Sequence, residues 1–248
     1  MHSGPPVLFL HGIRTSASMW RAQLEALDGR GIRAVAIDLP GHGTRMGEPF
    51  TVDAAIAAID AAIDDLGEPV LLVGLSMGGY IGMHYAATHP HRLHGLVAAS
   101  CGAIPRPVFI GGYRAVAAAI HRLPDRGSAL NDGLARLLVP ETGVSDLLGG
   151  GIALEVMQSG LQAIGTLRPL EDLAAYDGPV RLVNGRYDHI RFDERRMLRA
   201  SRHGSLVIIP RATHLASLVQ PAAFTEVVLA AWWEFAAAPP QASPTTEA

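Results

Sequence analysis

The sequence predicts an α/β fold, a mostly parallel, doubly wound sheet of about six strands, and two observations carry it. Short apolar runs bounded by glycine or proline alternate along the chain with segments of helical period, the pattern of parallel strands joined by crossover helices. These runs also lack the in-and-out alternation of half-exposed strands, as expected where helices cover both faces of a sheet. With 248 residues, 49% of them hydrophobic, the chain is long enough for one such domain and an insertion.

Strands are expected at 6–10, 33–37, 70–74, 93–99, 180–184 and 205–209. A helix is expected at 19–29, and a second at 51–66, where Ile56, Ile59, Ile63 and Leu66 share a face and Gly67 stands at the C-terminal cap. A third helix, 77–88, stops before His89-Pro90. Between 103 and 168 the rhythm breaks: RAVAAAIHRL, SALNDGLARLL and IALEVMQSGLQAIG have helical period with no strand among them. A helical lid at 103–168 is therefore expected over a core made of 1–102 and 169–237. The apolar stretch at 227–238 is interrupted by Glu234 and too short to span a bilayer, so it reads as an amphipathic helix. The segment 238–248, proline-rich, small and polar, is expected to be disordered.

The bulk properties narrow the chemistry. A net charge of -3 gives no bias toward polyanions, so nucleic acid is not expected as a partner. Cys101 is the only cysteine, which excludes an intrachain disulfide. There is no lysine, so Schiff-base chemistry, serine-lysine dyads and the P-loop lysine are all excluded. The N-terminal segment has no basic leader, and the expectation is a cytoplasmic protein with no membrane partner. The histidines of HPHRLH lack partner carboxylates or thiols and read as a solvated turn. No metal and no cofactor is called for, and the oligomeric state is left open.

The stretch VLLVGLSMGG places Ser76 at the centre of G-x-S-x-G, where a strand is expected to pass into a helix. A sharp turn there holds the serine in a strained conformation, and Gly74 and Gly78 supply the room. The amide of Met77, at the start of the next helix, is placed to donate to an oxyanion. A serine nucleophile needs a base, and the base needs an orienter. His214, just beyond the last expected strand, is the candidate base, and Asp188, after the penultimate strand, is the candidate acid. A second oxyanion donor is expected from the amide of Ile13 in LFLHGIR, with His11 structural and bonded to the loop backbone. Arg14, Trp20, Tyr80 and Met157 are candidates to line a substrate site. In the expected lid, Val108, Phe109, Ile110, Ile120, Leu134, Leu137, Leu138, Leu154, Met157 and Leu161 are candidates for pocket or core, mostly core. Asp193 and Glu194 read as the start of an exposed helix.

These residues resemble the α/β-hydrolase superfamily along nearly the whole chain, through LFLHG, AIDLPGHG, GLSMGG, GRYDH and THL in family order. DLPGHG is similar to the lidded esterase, C–C hydrolase and dehalogenase-like branch. The resemblance implies a core lacking the family's N-terminal hairpin, since only ten residues precede His11. Dehalogenases and epoxide hydrolases of the family carry aspartate in the elbow, where this chain has Ser76. The resemblance thus implies a serine hydrolase, carboxylesterase-like, acting on a small to medium apolar substrate through an acyl-enzyme. Lactonases, thioesterases, C–C bond hydrolases, perhydrolases and elimination enzymes share the elbow, and ligand receptors built on the fold are a further alternative.

Overall fold

The apolar run Val7–Leu10 forms strand β1 of the computed structural model, which describes residues 4–236 apart from the side chains at 131, 132, 134 and 138. The expected tail at 238–248 and the side chains of Leu134 and Leu138 lie outside the described residues. The remaining strands are β2 (Ala34–Ile37), β3 (Val70–Leu75), β4 (Leu93–Ala99), β5 (Pro179–Gly185) and β6 (His203–Ile209). They form one sheet in the order β2-β1-β3-β4-β5-β6, and every neighbouring pair is parallel.

Strand period divides the sheet's side chains between two cores. Leu8, Leu10, Leu72 and Leu96 pack on one side with Ile59, Ile63 and Ile81. On the other, Val7, Phe9, Leu71, Val73 and Val97 pack with Trp20, Phe224 and Trp232. Since β1 and β3 are covered on both faces, every residue of both is buried. The edge strand β2 is only half-buried.

The crossover helices follow their local signals. Helix α2 (Val52–Leu66) begins where the Thr51 side chain accepts from the Ala54 amide at 3.0 Å, and ends at Gly67, whose φ of 76° is the left-handed cap that glycine adopts without a Cβ clash. Helix α3 (Met77–Thr88) follows β3 directly. The expected helix at 19–29 divides instead into a tight 3₁₀ turn, Ala17–Trp20, and α1 (Arg21–Asp28). The turn is held by Ala17 N–H donating to Asp38 Oδ1 at 2.8 Å and by the Ser18 hydroxyl donating to the Asp146 carbonyl at 2.6 Å.

Between β4 and β5 lie α4 (Pro107–His121), α5 (Ser128–Leu138), α6 (Glu141–Leu148), α7 (Met157–Thr166) and α8 (Pro169–Ala175), and no strand. Bidentate bonds from Arg106 to Asp193, both 2.8 Å, tie the start of this segment to the loop after β5, and the Ile104 amide donates to the same carboxylate at 3.0 Å. Arg21 makes a similar pair with Asp146 of α6. Two expectations change here. Asp193 and Glu194 do open a helix, α9 (Glu194–Ala200), but both are buried, because Arg106 and Arg191 neutralise them. Val108 and Phe109 of α4 and Leu137 of α5 are not core: they are 74%, 43% and 78% exposed. Leu161, in contrast, is buried.

The chain closes with α10 (Ala216–Val219) and α11 (Pro221–Ala236), which buries Phe224, Val228, Ala231, Trp232 and Phe235 at helical spacing against the sheet. No helix among the described residues is long and apolar enough to cross a membrane.

Candidate active site

Four non-glycine residues in the left-handed region stand just past the C-terminal ends of strands: Arg14 after β1, Ser76 after β3, Ser100 after β4 and Arg211 after β6. Ser76, at φ 55° and ψ -114°, joins β3 to α3 without a linker. Such a conformation costs on the order of 1–3 kcal/mol and persists only where its surroundings fix it. Here the surroundings are backbone. The Ser76 amide donates to the Ala99 carbonyl at 2.8 Å, and the Tyr80 amide donates back to the Ser76 carbonyl at 3.1 Å. A Cβ on Gly74 would lie 2.2 Å from the Gly78 carbonyl oxygen, and one on Gly78 would lie 2.4 Å from that of Leu10. Only glycines allow this approach.

The turn aims the Ser76 hydroxyl at the segment beyond β6. Its Oγ lies 3.0 Å from His214 Nε2, and His214 Nδ1 lies 3.0 and 3.2 Å from the two carboxylate oxygens of Asp188. An ionised carboxylate can only accept, so Nδ1 carries the imidazole proton and Nε2 is left to accept from the serine. The Asp188 side chain is fully buried, whereas 23% of the His214 side chain is exposed. Burial would raise the Asp188 pKa, but hydrogen bonds from His214 and the Ile190 amide outweigh it and hold the carboxyl below its ordinary value. The structure thus links Ser76, His214 and Asp188 in one hydrogen-bonded chain.

The loop after β1 comes up against this elbow. Thr15 N–H and its hydroxyl both donate to the Gly12 carbonyl, at 3.3 and 2.8 Å, closing a turn over residues 12–15 with Arg14 at the left-handed third position. The Ile13 amide takes no part in that closure. The Gly78 amide donates to the His11 carbonyl at 3.1 Å, and a Cβ on Gly12 would lie 3.6 Å from Cβ of Ser76. Met77 N–H is the first amide of α3, and so has no partner within the helix. Above these groups passes α7, where a Cβ on Gly160 would lie 2.7 Å from Ile13 Cδ1 and 3.8 Å from Met77 Sδ.

His11 is locked in the loop as a structural group. Its Nδ1–H donates to the Gly12 carbonyl, and its Nε2 accepts from the Leu39 amide at 3.0 Å. Full burial lowers its pKa to about 3, reinforced by the His42 ring 4.7 Å away.

The other candidates fall in different places. Arg14 is half-buried, its carbonyl accepts from the Ala153 amide, and burial lowers the guanidinium pKa. Met157, half-buried, opens α7. The Tyr80 hydroxyl donates to the Ala103 carbonyl at 2.6 Å, tying α3 to the segment after β4. Trp20 is fully buried between Phe9 and Phe224, with ring centroids 4.8 and 5.7 Å away, so it is a core residue with no face open to a ligand.

Sequence reasoning missed His189. Its ring stands 5.0 Å from that of His214 and 6.5 Å from Tyr113 on α4, and burial, then the nearby His214, lower its pKa. Its place directly after Asp188 in GRYDH was the available signal. Among the described residues, Asp188, His189 and His214 are the grouping whose donor atoms come within metal-ligating reach, all within 4.8 Å of one another. Two of those donors already bond each other.

The six-stranded sheet with this elbow defines the class, and a family model described as the alpha/beta hydrolase family matches residues 7–227. The chain belongs to the alpha/beta hydrolase family. Among its relatives, Lipase LipV of Mycobacterium tuberculosis is 39% identical over 98 residues, which cover 38% of this chain and 37% of the lipase. Epoxide hydrolase 2 of Siraitia grosvenorii is 34% identical over 122 residues, covering 46% of this chain and 39% of that protein. The matched stretch thus spans less than two fifths of either relative. A thermophilic esterase from Thermogutta terrifontis shares the fold with a TM-score of 0.77 at 23% identity, over 95% of this chain and 92% of that one.

Proposed function

We propose that the protein is a serine hydrolase that cleaves a carboxylic ester of a small to medium apolar substrate through an acyl-enzyme. The observation that carries this reading is the chain from Ser76 Oγ to His214 Nε2, and from His214 Nδ1 to Asp188, both at 3.0 Å. That geometry suits a proton leaving the hydroxyl as the oxygen attacks.

In the first step Ser76 Oγ bonds to the ester carbon while His214 Nε2 takes its proton, and the carbonyl electron pair moves onto oxygen. The amides of Met77 and Ile13 donate to that oxyanion, and each such donor contributes roughly 10²–10³ in rate. His214 then gives its proton to the ester oxygen as the carbon–oxygen bond breaks and the alcohol leaves. In the second step His214 removes a proton from water, the water oxygen attacks the acyl carbon, and Ser76 leaves with its proton restored. Asp188 orients the ring and stabilises the imidazolium in both steps. The helices between β4 and β5 act as a lid in this reading, with Met157, Arg14 and Tyr80 near the acyl or alcohol group. Epoxide opening is disfavoured, because the elbow holds serine where epoxide hydrolases of the family carry aspartate.

A fluorophosphonate probe and a panel of p-nitrophenyl esters test the reading. The wild-type chain should be labelled at Ser76 and turn over short and medium esters. Ser76→Ala should lose both, with turnover falling by roughly 10⁴-fold or more. Labelling without turnover on any ester would remove the carboxylesterase assignment and favour C–C bond cleavage or ligand reception. Wild-type turnover by pure Ser76→Ala would remove the nucleophile assignment itself.

A further inference from the structure

His189 takes no part in the hydrogen-bonded chain from Ser76 to Asp188, yet it stands against the buried end of that chain. Its Nδ1 lies 3.8 Å from Asp188 Oδ1, too far for a hydrogen bond. The same oxygen lies 3.0 Å from His214 Nδ1. Two imidazoles thus bring a nitrogen to one carboxylate oxygen, and one donor atom from each of the three residues falls within 4.8 Å of the other two. Donors bonded at about 2.0–2.1 Å to a tetrahedral ion stand roughly 3.3 Å apart. The separations of 3.0 and 3.8 Å lie on either side of that value, so shifts of about half an ångström or less would seat an ion between them.

The donor types and their exposure agree with this. Two imidazoles and a carboxylate suit zinc and other first-row divalent ions, whereas calcium and magnesium take oxygen ligands. Exposure rises outward, from none for the Asp188 side chain to 23% for His214 and 61% for His189, so an ion reaches the set from solvent past His189. Among the described residues the His189 ring has contacts with the His214 and Tyr113 rings and no hydrogen bond. It can turn to meet an ion without giving one up.

We infer that Asp188, His189 and His214 form an inhibitory site for a zinc-like divalent ion, which switches off the base beside Ser76. The ion bonds His214 Nδ1 in place of the proton that faces Asp188. That proton passes to water and Nε2 takes one up, so the ring stays neutral with its N–H on the other nitrogen. Nε2, 3.0 Å from Ser76 Oγ, is then a donor and cannot take the proton of the serine. Ester cleavage itself needs no metal, and the ion acts as a reversible stop. The effect on turnover rests on the ester-cleaving reading; the binding does not.

Calorimetric titration of zinc into untagged Ser76→Ala tests the binding without turnover. One zinc ion per chain should bind, and calcium and magnesium should not. Adding His189→Ala should weaken the binding at least about tenfold, since even a group that only supports a metal ligand is worth roughly 10–100-fold. In the wild type, zinc should slow both p-nitrophenyl ester turnover and fluorophosphonate labelling, and a chelator should restore them. His189→Ala should need at least about tenfold more zinc to halve its own rate, whereas His91→Ala, in HPHRLH, should need no more than the wild type. The His189 side chain is exposed, and an unchanged melting temperature would show that its variant folds. Absence of zinc binding to folded Ser76→Ala would overturn the inference. So would undiminished binding after His189→Ala, or inhibition relieved by His91→Ala. Zinc bound at this site with labelling unslowed would overturn the switch of the base. Zinc binding as described in a wild type that turns over no ester would support the site and count against the ester-cleaving reading alone.

Discussion

Replacing Gly78 with alanine adds one methyl group at the tightest backbone contact of the site. The new Cβ would lie 2.4 Å from the Leu10 carbonyl oxygen and 2.7 Å from that of His11, where ordinary contact begins near 3.4 Å. The difference, 3.4 minus 2.4, requires the start of α3 and the loop after β1 to part by about 1 Å, since neither obstacle is a flexible side chain. The same movement stretches the 3.1 Å bond from the Gly78 amide to the His11 carbonyl, which ties the two loops together. Overpacking of this kind costs about 1–3 kcal/mol. In a chain of this size that corresponds to a fall in melting temperature of roughly 2–12 °C. Activity should fall further than stability explains, because the same shift separates the amides of Ile13 and Met77. Displacement by about 1 Å, or loss of one oxyanion donor, costs roughly 10²-fold in turnover. The assay is kcat/KM on a p-nitrophenyl ester well below the melting temperature, beside Gly82→Ala as a control. A Cβ at Gly82 meets only side-chain ends, Leu96 Cδ1 at 3.1 Å and Leu72 Cδ2 at 3.6 Å, and alanine favours the helix there. If folded Gly78→Ala kept wild-type kcat/KM, the idea that the two loops must touch to build the site would be refuted.

Two further outcomes follow from buried charge. His11 has a folded-state pKa of about 3 against an ordinary 6.5, so the unfolded chain binds its proton first as pH falls. Stability from this group is present above pH 6.5 and is lost toward pH 3 by up to about 1.4 kcal/mol per pH unit. His42, also lowered by burial, acts in the same direction, whereas the depressed carboxyls of Asp38, Asp188 and Asp193 matter only in more acid solution. Urea midpoints should therefore fall between pH 7 and 5, and His11→Gln should flatten that fall; an equally steep fall in the variant would contradict the assignment. Asp193→Ala should cost about 2–3 kcal/mol, since it strands Arg106 and the Ile104 amide, discounted for the 37% exposure of the Arg106 side chain. Its readout is faster trypsin cleavage after Arg114 or Arg122, and an unchanged cleavage rate would show that Asp193 does not anchor the helices between β4 and β5.

What could be read from the sequence was whatever a short segment decides alone. The order of strands and crossovers, Gly67 as a cap, and the turn at Ser76 each follow from neighbouring residues, and the positions of Asp188 and His214 follow from the strand ends they succeed. Facing direction was not legible in the same way. Trp20 lies close in sequence to the loop after β1, yet the alternation of that strand's side chains draws it into the core against Phe9. Val108 and Leu137 have the residue types of a core and stand on the surface, because burial depends on which neighbour a helix meets. The burial of Asp193 depends on Arg106, 87 residues away in the chain, and no local pattern announces that pair.

The left-handed residues at the strand ends make the two ends of the sheet unequal. Where strands begin, the left-handed positions fall on glycines, Gly31 before β2 and Gly67 before β3, which adopt them at little cost. Where they finish, Arg14, Ser76, Ser100 and Arg211 are bent into conformations that only continuous packing maintains. A loosening anywhere beneath that rim lets those residues relax first, so function should fade before the fold is lost. Drift in sequence would then be felt as a declining rate in a protein that still melts as one unit.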